Sequence, residues 1–134
     1  MDEANEAKFL ATEAAKEDLF KEFYALTKTI QEEFVPNKRD GGCLNPKKYQ
    51  MCIASRLAFE IHNDKKVLMT LAAGQGKTVV YLLTAMLLHR KFPAQYDKIL
   101  VVTISNPLKT QLDNIVVCHP IDVQLKAIYT PNID

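Results

Sequence analysis

The stretch that most constrains the fold is residues 66–92, KVLMTLAAGQGKTVVYLLTAMLLHRKF. A short apolar run, Val67–Leu71, leads into a loop of small residues, and a long apolar helical pattern follows Lys77 and Thr78. A strand, a glycine-containing loop and a helix in this order bring backbone N–H groups and a helix N-terminus together at one point. The stretch therefore predicts a phosphate-binding site between the strand and the helix.

The loop departs from the strict phosphate-loop pattern at one position, because Leu71 stands where that pattern has a glycine five residues before Gly76. A strand-to-helix turn with an incidental Gly-Lys-Thr is the alternative, but the apolar segments on both sides favour a phosphate site. In such a site Lys77 offsets charge on the β- and γ-phosphates and the Thr78 hydroxyl binds Mg²⁺. The predicted nucleotide-binding residues are Ala73, Gly74, Gln75, Gly76, Lys77 and Thr78.

Composition adds few constraints. A length of 134 residues predicts one domain, and a formal net charge of +1 argues neither for nor against nucleic acid. No charged-then-apolar leader opens the chain, and the longest apolar run, 78–88, is too short to span a bilayer. The three cysteines and three histidines are scattered, which disfavours a zinc site and structural disulfides. An intracellular protein (cytoplasmic or nuclear) is expected.

Residues 1–35 are predicted to form one amphipathic helix, because apolar residues recur at three- and four-residue steps up to Pro36. It is interpreted as a packing helix, with a partner-binding helix as the alternative. Residues 36–46 are predicted to form a linker. Its residues 37–40, NKRD, match the guanine-reading NKxD signature of small GTPases. A GTPase also needs a DxxG turn after the phosphate loop, and no glycine occurs beyond Gly76.

Residues 47–134 are predicted to form a partial α/β domain. Its first helix, Lys47–His62, has Asn45 as the expected N-cap. The helix Lys77–Lys91 is apolar nearly all round, which predicts burial on several sides. A β-branched run predicts a central parallel strand at Lys98–Ser105, buried on both faces. The weaker predictions that follow are a short helix from Asn106 to about Asn114 and strands at Val116-Val117 and Gln124–Tyr129.

Residues from about Asn45 to Asn114 resemble the first RecA-like domain of superfamily 2 helicases and translocases. Residues 73–78, AGQGKT, are similar to motif I of that family, with Ala73 where threonine is usual. Residues 101–108, VVTISNPL, resemble motif Ia, and Leu108-x-x-Gln111 fits its LxxQ tail. The resemblance implies a RecA-like P-loop fold with parallel strands, and it implies ATP and Mg²⁺ as cofactors.

The resemblance also implies roles for residues outside the loop. Gln50, which lies 24 residues before Gly74, corresponds to the upstream glutamine that reads adenine in this superfamily; a plain surface glutamine is the alternative. Motif Ia implies contact with a nucleic-acid backbone. The same segment resembles the ATPase motor of bacterial preprotein translocation, for which the polymer is unfolded polypeptide. The implied polymer-contacting residues are Thr103, Ser105, Asn106, Lys109 and Gln111.

The family's motif II, an acidic box at the end of a buried strand, has no counterpart here. The acids beyond Lys77 are Asp97, Asp113, Asp122 and Asp134, and none follows four apolar residues. No catalytic residue is identified, and hydrolysis is expected to need elements of a larger motor that this chain lacks. Three hypotheses remain: a helicase-type motor portion, a fragment of a protein-translocating ATPase, and a non-catalytic P-loop protein whose N-terminal helix binds a partner.

Overall fold

The structure, a computed structural model, describes residues 3–10, 17–34, 45–69, 76–103, 106–118 and 124–130. The elements in these ranges are α1 (Glu3–Leu10), α2 (Asp18–Phe34), α3 (Lys48–His62), α4 (Lys77–Lys91), β1 (Lys98–Thr103), α5 (Asn106–Cys118) and β2 (Gln124–Tyr129). This part of the chain is mostly helical with a small two-stranded parallel sheet. The arrangement is consistent with a partial α/β RecA-like domain that contains little sheet.

The N-terminal region folds as two helices rather than the single predicted helix. The Glu6 carboxylate on α1 forms an ion pair with Lys48 at 3.1 Å, and it lies close enough to Tyr24 on α2 to help raise the pKa of that phenol. The hydrogen bond from Lys48 also lowers the pKa of Glu6. In one straight helix Glu6 and Tyr24 would lie about 27 Å apart, at 1.5 Å per residue. Contact between them therefore requires that α1 and α2 be separate helices.

The helices α2, α3 and α4 enclose the core. Along α4, Val80 and the run 82–88 are buried, which confirms the predicted burial on several sides. On α3 the most buried face contains small side chains, Ala54, Ser55 and Ala58, which allow α4 to approach closely. From α2 the core receives two fully buried aromatic side chains, Phe20 and Phe23. The three helices thus form one packed layer, in which α2 and α3 both contact α4.

The N-terminus of α3 differs from its prediction. The N-cap residue is Lys47, in extended conformation at φ −89° and ψ 160°, and not Asn45. The backbone N–H of Lys47 donates to the Gln50 side-chain oxygen at 2.9 Å, which is the reciprocal half of a capping box. Pro46 is buried just before the helix. A glutamine three residues into the helix therefore fixes its start.

The sheet consists of β1 and β2 in parallel register, from Lys98 opposite Gln124 to Thr103 opposite Tyr129, with α5 between them. The predicted strand at 124–129 is confirmed. The predicted burial of β1 on both faces is wrong. Burial alternates along the strand, so Leu100 is 59% exposed while its neighbours Ile99 and Val101 pack against the helical core. The helices cover one face, and no described element covers the other.

Two strand predictions fail. The pair Val116-Val117 lies inside α5, which continues four residues beyond the predicted end at Asn114. Residues 67–69 of the predicted strand 67–71 form no strand, and Leu68 is 92% exposed. A strand needs a neighbour for its backbone N–H and C=O groups, and the described pairing joins only β1 and β2. Thr70, Leu71, Ile104 and Ser105 lie outside the described residues.

Candidate nucleotide-binding site

Gly76 begins the helix that the phosphate-loop sequence predicts. It is the N-cap of α4 and has left-handed backbone angles, φ 76° and ψ 47°, which glycine adopts without a steric penalty. Helix α4 has the predicted bounds, Lys77–Lys91. Of the predicted loop residues, Ala73, Gly74 and Gln75 lie outside the described residues. The structure therefore describes the helical half of the predicted site.

The first turn of α4 has the chemistry of an anion site. Its N–H groups have no acceptor within the helix until Val80, whose N–H meets the Gly76 carbonyl at 3.4 Å. Lys77 is exposed, and Thr78 is partly buried. The first turn contains no acid, while the last turn contains three basic residues, so no carboxylate in that turn competes for the positive end of the helix. A phosphate group is the ligand that these features favour.

The opposite end of α4 is anchored to α2. Arg90 pairs with Glu33 at 2.5 Å, and Lys91 pairs with Glu22 at 2.9 Å. Both acids are on α2, and both bases lie in the last turn of α4, where positive charge also complements the helix dipole. These two ion pairs and the burial along the helix fix the position of α4, and with it the position of the first turn of α4.

Gln50, the predicted adenine reader, lies against Gly76, the glycine that precedes α4. It is 5% exposed, its side-chain oxygen accepts from Lys47 N–H, and its amide nitrogen donates to the Gly76 carbonyl at 3.4 Å. A Cβ at position 76 would lie 2.2 Å from that nitrogen. The sequence reasoning missed this contact, since the two residues are 26 positions apart and no local pattern connects them.

The predicted polymer-contacting residues are only partly grouped. Thr103 is buried at the carboxyl end of β1, where its carbonyl accepts from Thr130 N–H at 2.9 Å. At 100° per residue Asn106 and Lys109 lie about 60° apart on α5, whereas Gln111 lies about 160° from Lys109. Lys109 also pairs with Asp113 at 2.7 Å. Ser105 lies outside the described residues. Asn106 and Lys109 share a side of α5 that Gln111 does not share.

An open cleft of about 1180 Å³ separates the extended residues 67–69 from β1. Its lining is mostly apolar and includes Leu57, Tyr81 and Leu88, and it extends to Thr103 and Leu108. Ligands of open parallel sheets bind at the carboxyl ends of the strands. The cleft runs along the whole of β1, from Lys98 to Thr103, and therefore includes the carboxyl end of that strand.

The described acids beyond Lys77 do not form a metal-binding strand end. Asp97 comes directly before β1, and Asp113 is on α5 in an ion pair. Within the described ranges, no three histidine, cysteine or acidic residues are grouped to hold a metal ion. No helix in the same ranges is both long and apolar enough to cross a membrane.

A glycine-capped helix and a parallel β–α–β unit both occur in P-loop nucleotide-binding domains, although no strand precedes α4 among the described residues. Comparison with protein families gives a match over residues 43–119 to the family described as type III restriction enzyme, res subunit. The match covers more than half of the chain, and the chain belongs to this family, a helicase-like RecA-type domain of superfamily 2. It includes α3, α4, β1 and α5 but not α1, α2 or β2. No curated protein and no solved structure matches the chain.

Proposed function

We propose that this chain binds Mg-ATP as the N-terminal portion of a helicase- or translocase-type motor domain. The observation that carries the proposal is the N-terminus of α4, where Gly76 in the left-handed conformation is followed by exposed Lys77 and by Thr78. The family match supports the same function, since it covers this helix and identifies a helicase-like domain.

Each residue has a defined task in this proposal. The N–H groups of residues 74–78 donate to the phosphates, and Lys77 offsets the charge of the β- and γ-phosphates. The Thr78 hydroxyl would hold Mg²⁺, which neutralises phosphate charge when bound. Ala73 is the first residue of the proposed binding sequence and stands where threonine is usual in the family. Gln50 remains a proposed adenine reader, in competition with the contacts that its amide makes to Lys47 and Gly76.

Hydrolysis needs further elements in this account. An acid at a strand end must complete the metal shell, and a second group must orient the attacking water. Neither Asp97 nor Asp113 occupies such a position. The open cleft beside β1, with Leu68 and Leu100 exposed, provides a surface on which the remainder of a motor domain packs. We propose that this chain alone binds the nucleotide but does not hydrolyse it.

We propose that the polymer contacted by this motor portion is nucleic acid and that the protein acts inside the cell. The family description names a restriction enzyme subunit, which favours nucleic acid over unfolded polypeptide. Thr103, Asn106 and Lys109, at the end of β1 and the start of α5, are proposed to contact the backbone together with Ser105 and Gln111. Binding of a labelled single-stranded oligonucleotide that weakens steeply with added salt is expected. Salt-independent binding, or none, would favour the polypeptide alternative.

The nucleotide proposal is tested with a fluorescent ATP analogue and Mg²⁺. The unaltered chain should bind the analogue saturably, and Lys77→Ala should weaken binding at least about tenfold, since a charge-assisted phosphate contact contributes about 1.5–3 kcal/mol. Lys66→Ala removes an equal charge from an exposed position outside α4 and serves as the matched control. Equal affinity for the chain with Lys77→Ala and the chain with Lys66→Ala would refute the proposed site.

A further inference from the structure

A sequence of hydrogen bonds connects α2 with the start of α4. The Gln31 side-chain nitrogen on α2 donates to the Pro46 carbonyl at 2.5 Å. The next residue, Lys47, donates its N–H to the Gln50 side-chain oxygen, and the Gln50 nitrogen donates to the Gly76 carbonyl. Pro46 and Gln50 are buried, whereas Gln31 is partly buried and Lys47 is exposed.

The last link of this path, from the Gln50 amide to the Gly76 carbonyl, is 3.4 Å long and leaves no room for a side chain at position 76. The Gln50 amide fills the space that a side chain at position 76 would occupy, with a separation of 2.2 Å to a hypothetical Cβ. The Gly76 carbonyl also accepts from Val80 N–H, which closes the first turn of α4. A displacement of the Gln50 amide would therefore move the turn whose N–H groups face the predicted phosphates.

Helix α2 also contacts the C-terminal end of α4. The ion pairs Arg90–Glu33 and Lys91–Glu22 connect the last turn of α4 to α2. Gln31 and Glu33 both lie in the last turn of α2. One helix, outside the family match, therefore holds the C-terminus of α4 directly and its N-terminus through Pro46, Lys47 and Gln50.

We propose that Gln31 is a positioning residue for the nucleotide site, acting through Pro46, Lys47 and Gln50 on Gly76. The inference rests on the proposed nucleotide binding and adds that α2 sets the affinity. A hydrogen bond that α2 donates to the residue before α3 keeps α3 in place. The N-terminus of α3 in turn keeps Gln50 against the last residue of the phosphate loop.

The test measures the Kd of a fluorescent ATP analogue and of a fluorescent GTP analogue, each with Mg²⁺. Gln31→Ala removes the donor to Pro46, and Gln31→Met does the same while keeping the side-chain length. Both variants should bind both nucleotides about three- to tenfold more weakly, the size of one lost hydrogen bond. Gln95→Ala is the control, because Gln95 is exposed and its amide donates to Tyr96 instead. Circular dichroism and thermal unfolding without nucleotide establish that each variant is folded.

A double-mutant cycle separates positioning from general loss of stability. Gln50→Ala should weaken binding at least as much as Gln31→Ala, and the double variant should bind no more weakly than Gln50→Ala alone, because the two residues act on one path. Additive effects would overturn the proposal. An equal loss for ATP and for GTP is expected of the Gln31 variants, because positioning of Gly76 affects both nucleotides. A loss for ATP alone in the Gln31 variants would contradict the proposal.

Two failures are distinguishable. If the unaltered chain binds nucleotide and Lys77→Ala abolishes binding, but both Gln31 variants bind as the unaltered chain does, the positioning role is wrong and the nucleotide site stands. If the unaltered chain binds neither nucleotide, the proposed function fails and the positioning role fails with it.

Discussion

The helical layer and the sheet of this protein bury apolar surface to very different extents. In α2, α3 and α4 the large core side chains are at most 5% exposed, and Phe23, Leu83 and Met86 are at most 1% exposed. In β1 the side chains of Leu100 and Val102 are 59% and 46% exposed, although they are equally apolar. Hydrophobicity in the sequence therefore indicates which residues can be buried. Whether an apolar residue is buried depends on whether another element packs against it.

The two regions meet along α4. This helix belongs to the buried layer, and its side chains Tyr81 and Leu88 line the cleft that faces β1. The proposed phosphate site is at the first turn of the same helix, so the buried layer supports it.

The largest expected effect is a difference in the free energy of unfolding between a side-chain truncation in the helical core and one on the exposed face of β1. Leu83→Ala should lower the free energy of unfolding by about 2–5 kcal/mol, because it removes buried methyl groups and leaves a cavity. Val102→Ala, which shortens a half-exposed side chain, should lower it by less than about 1 kcal/mol. Urea unfolding of both variants measures the difference. Equal losses would show that the outer face of β1 is covered in solution.

A smaller effect is expected at alkaline pH in the helical layer. Burial raises the pKa of the Cys52 thiol to about 11, and burial likewise raises the pKa of the neighbouring Tyr24 phenol. The folded state therefore favours the neutral thiol. Its contribution to stability is present below pH 9, the ordinary thiol value, and is lost as the pH rises through 11.

Thermal unfolding of the chain and of Cys52→Ala between pH 8 and 11 checks this dependence. The unfolding temperature of the unaltered chain should fall more steeply over that range than that of the variant. Parallel curves would contradict a buried neutral thiol and would indicate that solvent reaches the contact between α2 and α3.

Local pattern was enough to predict several elements. Helix α4 and strand β2 have the predicted bounds, since the apolar helical run begins after Gly76 and ends before Pro93, and 124–129 has the composition of a strand. The pair Val116-Val117 was misassigned because two β-branched residues do not outweigh the helix that continues from Asn106.

The remaining differences come from contacts between distant residues. Glu6 on α1 is brought to Lys48 on α3, a contact between distant residues that helix propensity does not encode. The exposed face of β1 depends on neighbours that a hydrophobic run alone does not specify. For the candidate site, the sequence predicted Gly76, Lys77 and Thr78 at a helix start, but not the Gln50 amide beside them.

Hydrogen–deuterium exchange with and without Mg-ATP tests the central claim most directly. Bound phosphate should accept hydrogen bonds from the first turn of α4, so amides in peptides covering 76–80 should exchange more slowly, while β1 and β2 should be unchanged. Lys77→Ala should remove this protection. Unchanged exchange at 76–80 with saturating Mg-ATP, or protection confined to the sheet, would contradict a nucleotide site at the N-terminus of α4.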